Sequence, residues 1–298
     1  MKSKIKPDLT SDELSFIENV KRLTTIAMFS DDDLMEMLVL KGGNAMDIIY
    51  GITERASIDL DFSMSLDFKE GELAIIEVKI IKALQDTFSA EGYTVFDVKF
   101  LQRPQKVVMA ELFWGGYRVN FKLIENGRFE ESTDSLEFLR RNARVIGVNG
   151  KKTFQIDISK FEYCDEKVAE HLDGYTIYVY TPKMIVFEKV RAICQQMPEY
   201  KKIITTIRQT PRARDFFDIY MLLSRFTVDL YSEDSIGLLK TIFEIKKVPL
   251  ELLHDIHKHR DYHRLDFDSL RDTVRGRSEL KAFDFYFDYV VDKFGGIT

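Results

Sequence analysis

The stretch LKGGNAMDIIYGITERASIDLDFS, residues 40–63, decides how this chain is read. It holds a Gly42-Gly43 turn, a short segment with helical character, and then Ser57-Ile58-Asp59-Leu60-Asp61-Phe62. If Ile58 to Ser63 is a strand, successive side chains alternate between its faces. Asp59 and Asp61 then share a face, with Cα atoms about 7 Å apart by strand rise. Ile58, Leu60 and Phe62 point the opposite way, toward a core. Two carboxylates on one strand face, beside a glycine turn, suit Mg²⁺ held against a triphosphate.

The bulk composition is that of a soluble globular protein. Hydrophobic residues make up 45% and charged residues 31% of 298 positions, enough to bury a substantial core across about two domains. The opening MKSKIKPDLTSDEL has no apolar h-region, so it does not read as a secretory signal, and no apolar run is long enough for a membrane helix. Cys164 and Cys194 read as ordinary reduced thiols, which suits a cytoplasmic location. A net charge of −6 argues against a protein that coats nucleic acid. Lys183 to Arg214 departs from that balance, with eight basic residues against two acids. It is either a solvated helix surface or a face that meets phosphates.

Patterning along the chain predicts an α+β half, residues 1–180, carrying a mixed sheet, and a helical half, residues 181–298. Helices are expected within 10–35, at Asn44–Tyr50, at Gly71–Ala90 and at Thr133–Arg144. Strands are expected at Met37–Lys41, Ile58–Ser63, Tyr93–Leu101, Lys106–Trp114, Tyr117–Ile124, Thr153–Ser159 and Tyr175–Tyr180, with Gly115-Gly116 as a hairpin turn. Pro182 opens the first of the later helices, where its missing N–H costs nothing. Further helices are expected at 182–197, 212–225, 232–245, 247–258 and 266–295, the last broken near Gly276.

Several residues carry candidate chemistry. Gly42 and Gly43 let backbone N–H groups approach a phosphate. Asp157, flanked by Ile156 and Ile158 on an alternating strand, is the favoured third carboxylate, as a metal ligand and acceptor of a proton from an attacking hydroxyl; Glu125 is the alternative. Ser57 shares the face of the acid pair and suits a phosphate oxygen. Arg55 suits the triphosphate or the acceptor, or a surface ion pair. Lys189 lies beside a core stripe of Val186, Val190, Ile193 and Met197 and can act as a point charge on a phosphate. Asp215 and Asp218 stand one helical turn apart; an internal network of Glu188, Arg214 and Asp215 is the plainer reading. His254, His257, His259 and His263 lack a zinc spacing and read as a solvated helix end.

In these residues the chain resembles the AbiEii/AbiGii nucleotidyltransferases, toxins within the polymerase-β-like nucleotidyltransferase superfamily. The matching segments are LKGGNAMDIIYG, RASIDLDFS, FQIDIS, MIVFEKVRAICQQ and RARDFFDIYMLL, in this order, across about residues 39–223. The resemblance implies a polymerase-β-like domain followed by a helical domain. It implies Gly42, Gly43 and the Asp59/Asp61 pair as nucleotide and metal motif, Ser57 as the hydroxyl residue before it, and Lys189 and Asp215 as later functional residues. Asn44 stands where many relatives carry Thr or Ser, and can still donate to a phosphate. The implied activity is transfer of NMP from an NTP to an acceptor hydroxyl, with Mg²⁺ or Mn²⁺ and release of pyrophosphate. The implied acceptor is RNA, a tRNA 3′ end among the candidates, and the implied protein partner is an antitoxin. Transfer to a small molecule or protein, and a non-catalytic NTP-binding role, are the alternatives.

Overall fold

The computed structural model describes residues 11–52, 59–69, 71–105, 112–131, 135–146, 150–274 and 280–297. Among them a seven-stranded mixed sheet runs in the order β3-β4-β5-β2-β1-β7-β6. The strands are β1 (Val39–Lys41), β2 (Leu60–Ser63), β3 (Tyr93–Arg103), β4 (Gly116–Glu125), β5 (Phe154–Ser159), β6 (Val168–Leu172) and β7 (Tyr175–Val179). The central strands β1 and β2 are antiparallel, while β2–β5 and β1–β7 are parallel. Six helices of 12 residues or more accompany the sheet: α1 (Ser11–Phe29), α2 (Leu73–Ala90), α3 (Pro182–Cys194), α4 (Ala213–Arg225), α5 (Glu233–Glu244) and α6 (Phe283–Phe294).

Alternation in β2 and β5 assigns the two faces. Leu60, Phe62, Ile156 and Ile158 are buried on one side, where Phe62 meets Phe29 of α1 and Phe121 meets Phe88 of α2, at ring separations of 6.0 and 5.8 Å. Burying a side chain such as Phe62 contributes about 1.5–3 kcal/mol. The register then places Lys41, Asp61, Asp157 and Arg118 side by side across β1, β2, β5 and β4, on the opposite face. One register therefore buries an apolar row and assembles a charged one; a slip by one residue would exchange them.

After β7 the chain turns directly into α3. Thr181 caps it, its hydroxyl accepting from the Met184 N–H at 3.3 Å, and Pro182 occupies the first turn. α3 packs against α4 and α5, and one continuous core runs from Ile17 to Ile297. None of the described helices is long and apolar enough to cross a membrane.

Some expectations need correction. Leu112–Trp114 forms turn and bend, not the end of a strand, and residues 106–111 lie outside those described. Gly115-Gly116 is not a two-residue hairpin turn: β4 pairs with β3, from Arg103↔Gly116 to Tyr93↔Glu125. The glycines serve close approach instead. A Cβ on Gly115 (φ +135°) would lie 2.7 Å from the Arg103 carbonyl oxygen, and one on Gly116 1.9 Å from that of Ile158. β6 was not anticipated because its exposed VAEHL carries no alternation. Residues 247–258 form a turn, the short helix Leu252–Asp255 and the 3₁₀ segment Ile256–His259. The 266–295 span holds Phe267–Arg271 and α6, and Gly276 lies outside the described residues. His263 is not solvated; it is fully buried, and its Nδ1 accepts from the Arg212 N–H at 3.1 Å.

Candidate active site

The charged face of the sheet and the near ends of α3 and α4 enclose a cavity of about 650 Å³. Gly42, Gly43, Asp59, Asp61, Asp157, Lys189 and Asp215, which sequence reasoning drew from five separated segments, all line it. Arg55 and Ser57 lie outside the described residues. Asn44 does not line the cavity. It is fully buried, and its side-chain amide donates to the Asp59 carbonyl at 2.5 Å, so it braces the approach to β2 from behind. Glu125 sits at the far end of β4, 3.2 Å from Arg144 and on a different pocket.

Gly42 has φ +68°, and a Cβ there would lie 3.1 Å from Asp61 Oδ2. The turn therefore needs glycine twice over, for its left-handed backbone and for contact with the carboxylate. Asp61 is deeply set. Burial first, and then the negative charges of Asp157 and Glu188, push its carboxyl up to about 7, against the pull of Lys41 and Lys189. A carboxyl raised this far beside other carboxylates marks a place where burial disfavours the ionised form.

Asp157 stands beside Asp61 in register but is already engaged. Arg118 holds it in a two-pronged pair, Nε to Oδ1 at 2.7 Å and Nη2 to Oδ2 at 2.9 Å. Asp59, closer to solvent, is 3.1 Å from Lys151 Nζ. Among the described residues, no three His, Cys, Asp or Glu side chains converge as a metal cluster. The Arg118 guanidinium spans both oxygens of Asp157, and a cation there would have to displace it. Asp59 and Asp61 remain as an oxygen-only donor pair, a set that suits Mg²⁺ or Mn²⁺ completed by phosphate oxygens and water.

Lys189 lies opposite, delivered by α3. It is 3.0 Å from Asp215 Oδ1 and 2.7 Å from Asp218 Oδ2, both from α4, and is nearly buried. The i,i+3 spacing of the two aspartates brings both to one ammonium. Asp215 Oδ2 is buried without a hydrogen bond and has Arg212 at 3.6 Å. The anticipated network of Glu188, Arg214 and Asp215 is not formed. Glu188 pairs with Lys41 at 2.5 Å and with Arg191 at 3.5 Å, while Arg214 donates to Ser269 at 3.0 Å.

Sequence reasoning missed the ion network along the cavity wall, which Lys41, Glu162, Glu188, Arg191 and Lys246 all line. Glu162 receives Arg191 at 2.9 Å, Lys246 at 3.3 Å and Lys41 at 3.8 Å. Burial opposes its charge, but those three cations hold its carboxyl far below the usual range. Burial likewise opposes the charge of Lys41, and Glu188 and Glu162 override it, raising its pKa. Lys246 is drawn down to about 8, chiefly by burial. This network also answers the question of the basic segment. Lys183 pairs with Glu166, and Lys189, Arg191 and Arg212 are paired internally, while Lys201, Lys202 and Arg208 stay exposed. Much of its positive charge is structural.

Comparisons with known proteins agree with this architecture. The family model for the nucleotidyl transferase AbiEii toxin of type IV toxin–antitoxin systems matches residues 26–289. Among solved structures, JHP933 from Helicobacter pylori aligns at TM-score 0.51 and 15% identity, over 97% of this chain and 94% of that one. A second H. pylori protein, assigned as a nucleotidyltransferase, aligns at 0.49 and 17% over 97% and 96%. An antigenic nucleotidyltransferase-like protein from Paracoccidioides brasiliensis aligns at 0.39 and 14% over 91% and 97%. At such identities the first of these speaks for the fold alone. No curated protein is similar enough to add a further relative.

Proposed function

The chain belongs to the AbiEii nucleotidyltransferase toxin family, and on that premise we propose that it transfers NMP from an NTP to an RNA hydroxyl, a tRNA 3′ end being the first acceptor to test. The family makes it a transferase of the nucleotidyltransferase type and implies an antitoxin partner. One observation carries the finer reading. A glycine turn, an acid pair and a lysine delivered from the helical half line a single cavity.

The donor pair fits Mg²⁺ or Mn²⁺ because Asp59 and Asp61 bring carboxylate oxygens to the same cavity as the glycine turn. When bound, such an ion supplies neutralisation of the phosphate oxygens as the α-phosphorus is attacked and pyrophosphate leaves. The chain's own groups do the rest. Gly42 and Gly43 present backbone without side chains to the phosphates. Lys189, fixed in direction by Asp215 and Asp218, offers a preorganised charge to the departing pyrophosphate. Asp157 takes the proton of the attacking hydroxyl, releasing one prong of Arg118 to do so.

The test incubates purified protein with each α-labelled NTP, Mg²⁺ and total tRNA. Label on RNA with the wild type, and none with Asp59→Ala/Asp61→Ala, is the expected result. Label on protein or a small molecule alone would reassign the acceptor. No transfer by folded protein to any acceptor would overturn the reading.

A further inference from the structure

Trp114 is the chain's single tryptophan and the one aromatic residue among those described that line the catalytic cavity. The other lining residues are charged or polar, apart from the glycines, Ala192 and Pro211. A nucleotide is itself divided between an anionic end and a flat, weakly polar base. The carboxylates, glycines and lysine answer the first; among the described lining residues only Trp114 offers a broad planar surface to the second.

The indole is anchored but not consumed. It is half-buried against the core. Among the described residues no ring or cation stacks on it, whereas its neighbour Phe113 is covered by Lys247 at 4.2 Å. The residues on either side of Trp114 are tied. The Phe113 carbonyl lies 3.5 Å from the Lys246 ammonium, and the Gly115 carbonyl accepts from the Lys160 N–H at 3.0 Å. The left-handed Gly115, packed against the Arg103 carbonyl, sets the direction in which the loop leaves β4. An aromatic held by its neighbours at a cavity wall costs little to order when a ring stacks on it.

We propose that Trp114 is the nucleobase platform of this cavity, stacking the base of the NTP or the terminal base of the acceptor RNA. This deepens the proposed nucleotidyl transfer and rests on it. Stacking tolerates every base, so Trp114 contributes affinity and leaves discrimination among bases to polar groups.

Because Trp114 is the only indole, its emission reports this one position. Excited at its red edge, the wild type is titrated, with Mg²⁺ present, with each NTP, with short single-stranded RNA, and with inorganic tripolyphosphate. Quenching by NTP identifies the donor base as the stacked one, and quenching by RNA alone identifies the acceptor base. Tripolyphosphate, which has no ring, should leave the emission unchanged. Trp114→Ala should raise KM for the stacked component about tenfold with kcat little changed, and Trp114→Phe should restore most of it. Thermal unfolding of the three proteins checks folding. Equal quenching by tripolyphosphate, or no quenching by ligands that still raise the unfolding temperature, overturns the proposal. An active Trp114→Ala enzyme with unchanged KM for both NTP and RNA overturns it alone, leaving nucleotidyl transfer standing. A wild type that neither transfers label nor responds to any nucleobase overturns both.

Discussion

Two clusters of buried charge lie within one side chain of each other and behave oppositely. Around Glu162 each charge is answered: Arg191, Lys246 and Lys41 converge on one carboxylate and hold it ionised in spite of burial. Around Asp61 the balance tips the other way. Its carboxyl is raised to about 7 because burial and the neighbouring Asp157 and Glu188 outweigh Lys41 and Lys189. The balanced cluster joins β1, α3 and the chain after α5, and is architecture. Both line the cavity, and the second holds the oxygen-only pair of Asp59 and Asp61 that suits a cation. Lys41 belongs to both, which is why the two must be told apart by experiment.

The largest difference should come from exchanging one atom at each centre. Asp61→Asn removes a poorly solvated charge, so thermal unfolding at pH 8 should show stability equal to or above the wild type. Label transfer to RNA should nevertheless fall by about 10²–10³-fold, the scale of losing one preorganised electrostatic group. Glu162→Gln should do the reverse in kind. It takes from Lys246 its carboxylate partner and leaves Lys41 and Arg191 with Glu188 alone, and denaturant unfolding should register a loss of about 3–5 kcal/mol, as when one member of a buried ion pair is removed. If both variants lose stability alike, the distinction between the clusters is wrong.

Gly42→Ala sharpens the comparison at smaller scale. The new methyl must adopt φ +68° and crowd Asp61 Oδ2. A loss of about 1–2 kcal/mol is expected from the backbone, with weakened NTP binding in a titration. The smallest effect is expected at the surface. Lys201→Ala/Lys202→Ala touches none of the buried pairs. It should leave NTP kinetics unchanged and lower the salt dependence of RNA binding by about two phosphate contacts at most.

The fold class and the separate ingredients of the cavity were legible in the sequence because each rests on local pattern. Alternation around Asp61 and Asp157, the glycine pair, and the Thr181-Pro182 helix start are readable within a few residues. What was not legible depends on pairing across distance. Arg118 becomes a partner of Asp157 only through the β4–β5 register, and nothing in YRVNFKLI announces it. Glu162 sits in a loop of no regular pattern, yet it gathers cations from residues 41, 191 and 246. Local signals for three members did exist. Lys41 directly precedes the glycine turn, and Glu188 and Arg191 share a helix face. The β3–β4 pairing was misread because Gly115-Gly116 has the composition of a tight turn while serving close backbone contact.

Proton and cation compete for Asp61, and that competition tests the central claim most directly. Between the ordinary value of 3.8 and about 7, the native protein binds a proton at this carboxyl that the unfolded chain has released. The stabilisation it brings is complete below about 4 and is lost as pH rises through about 7. A divalent cation must displace that proton. The measurement is the rise in unfolding temperature that Mg²⁺ with NTP produces, read from pH 6 to pH 8 in the wild type and in Asp61→Asn. The account predicts a shift that grows with pH in the wild type and is small and level in the variant. A shift independent of pH, or equally large without the Asp61 carboxylate, would contradict it.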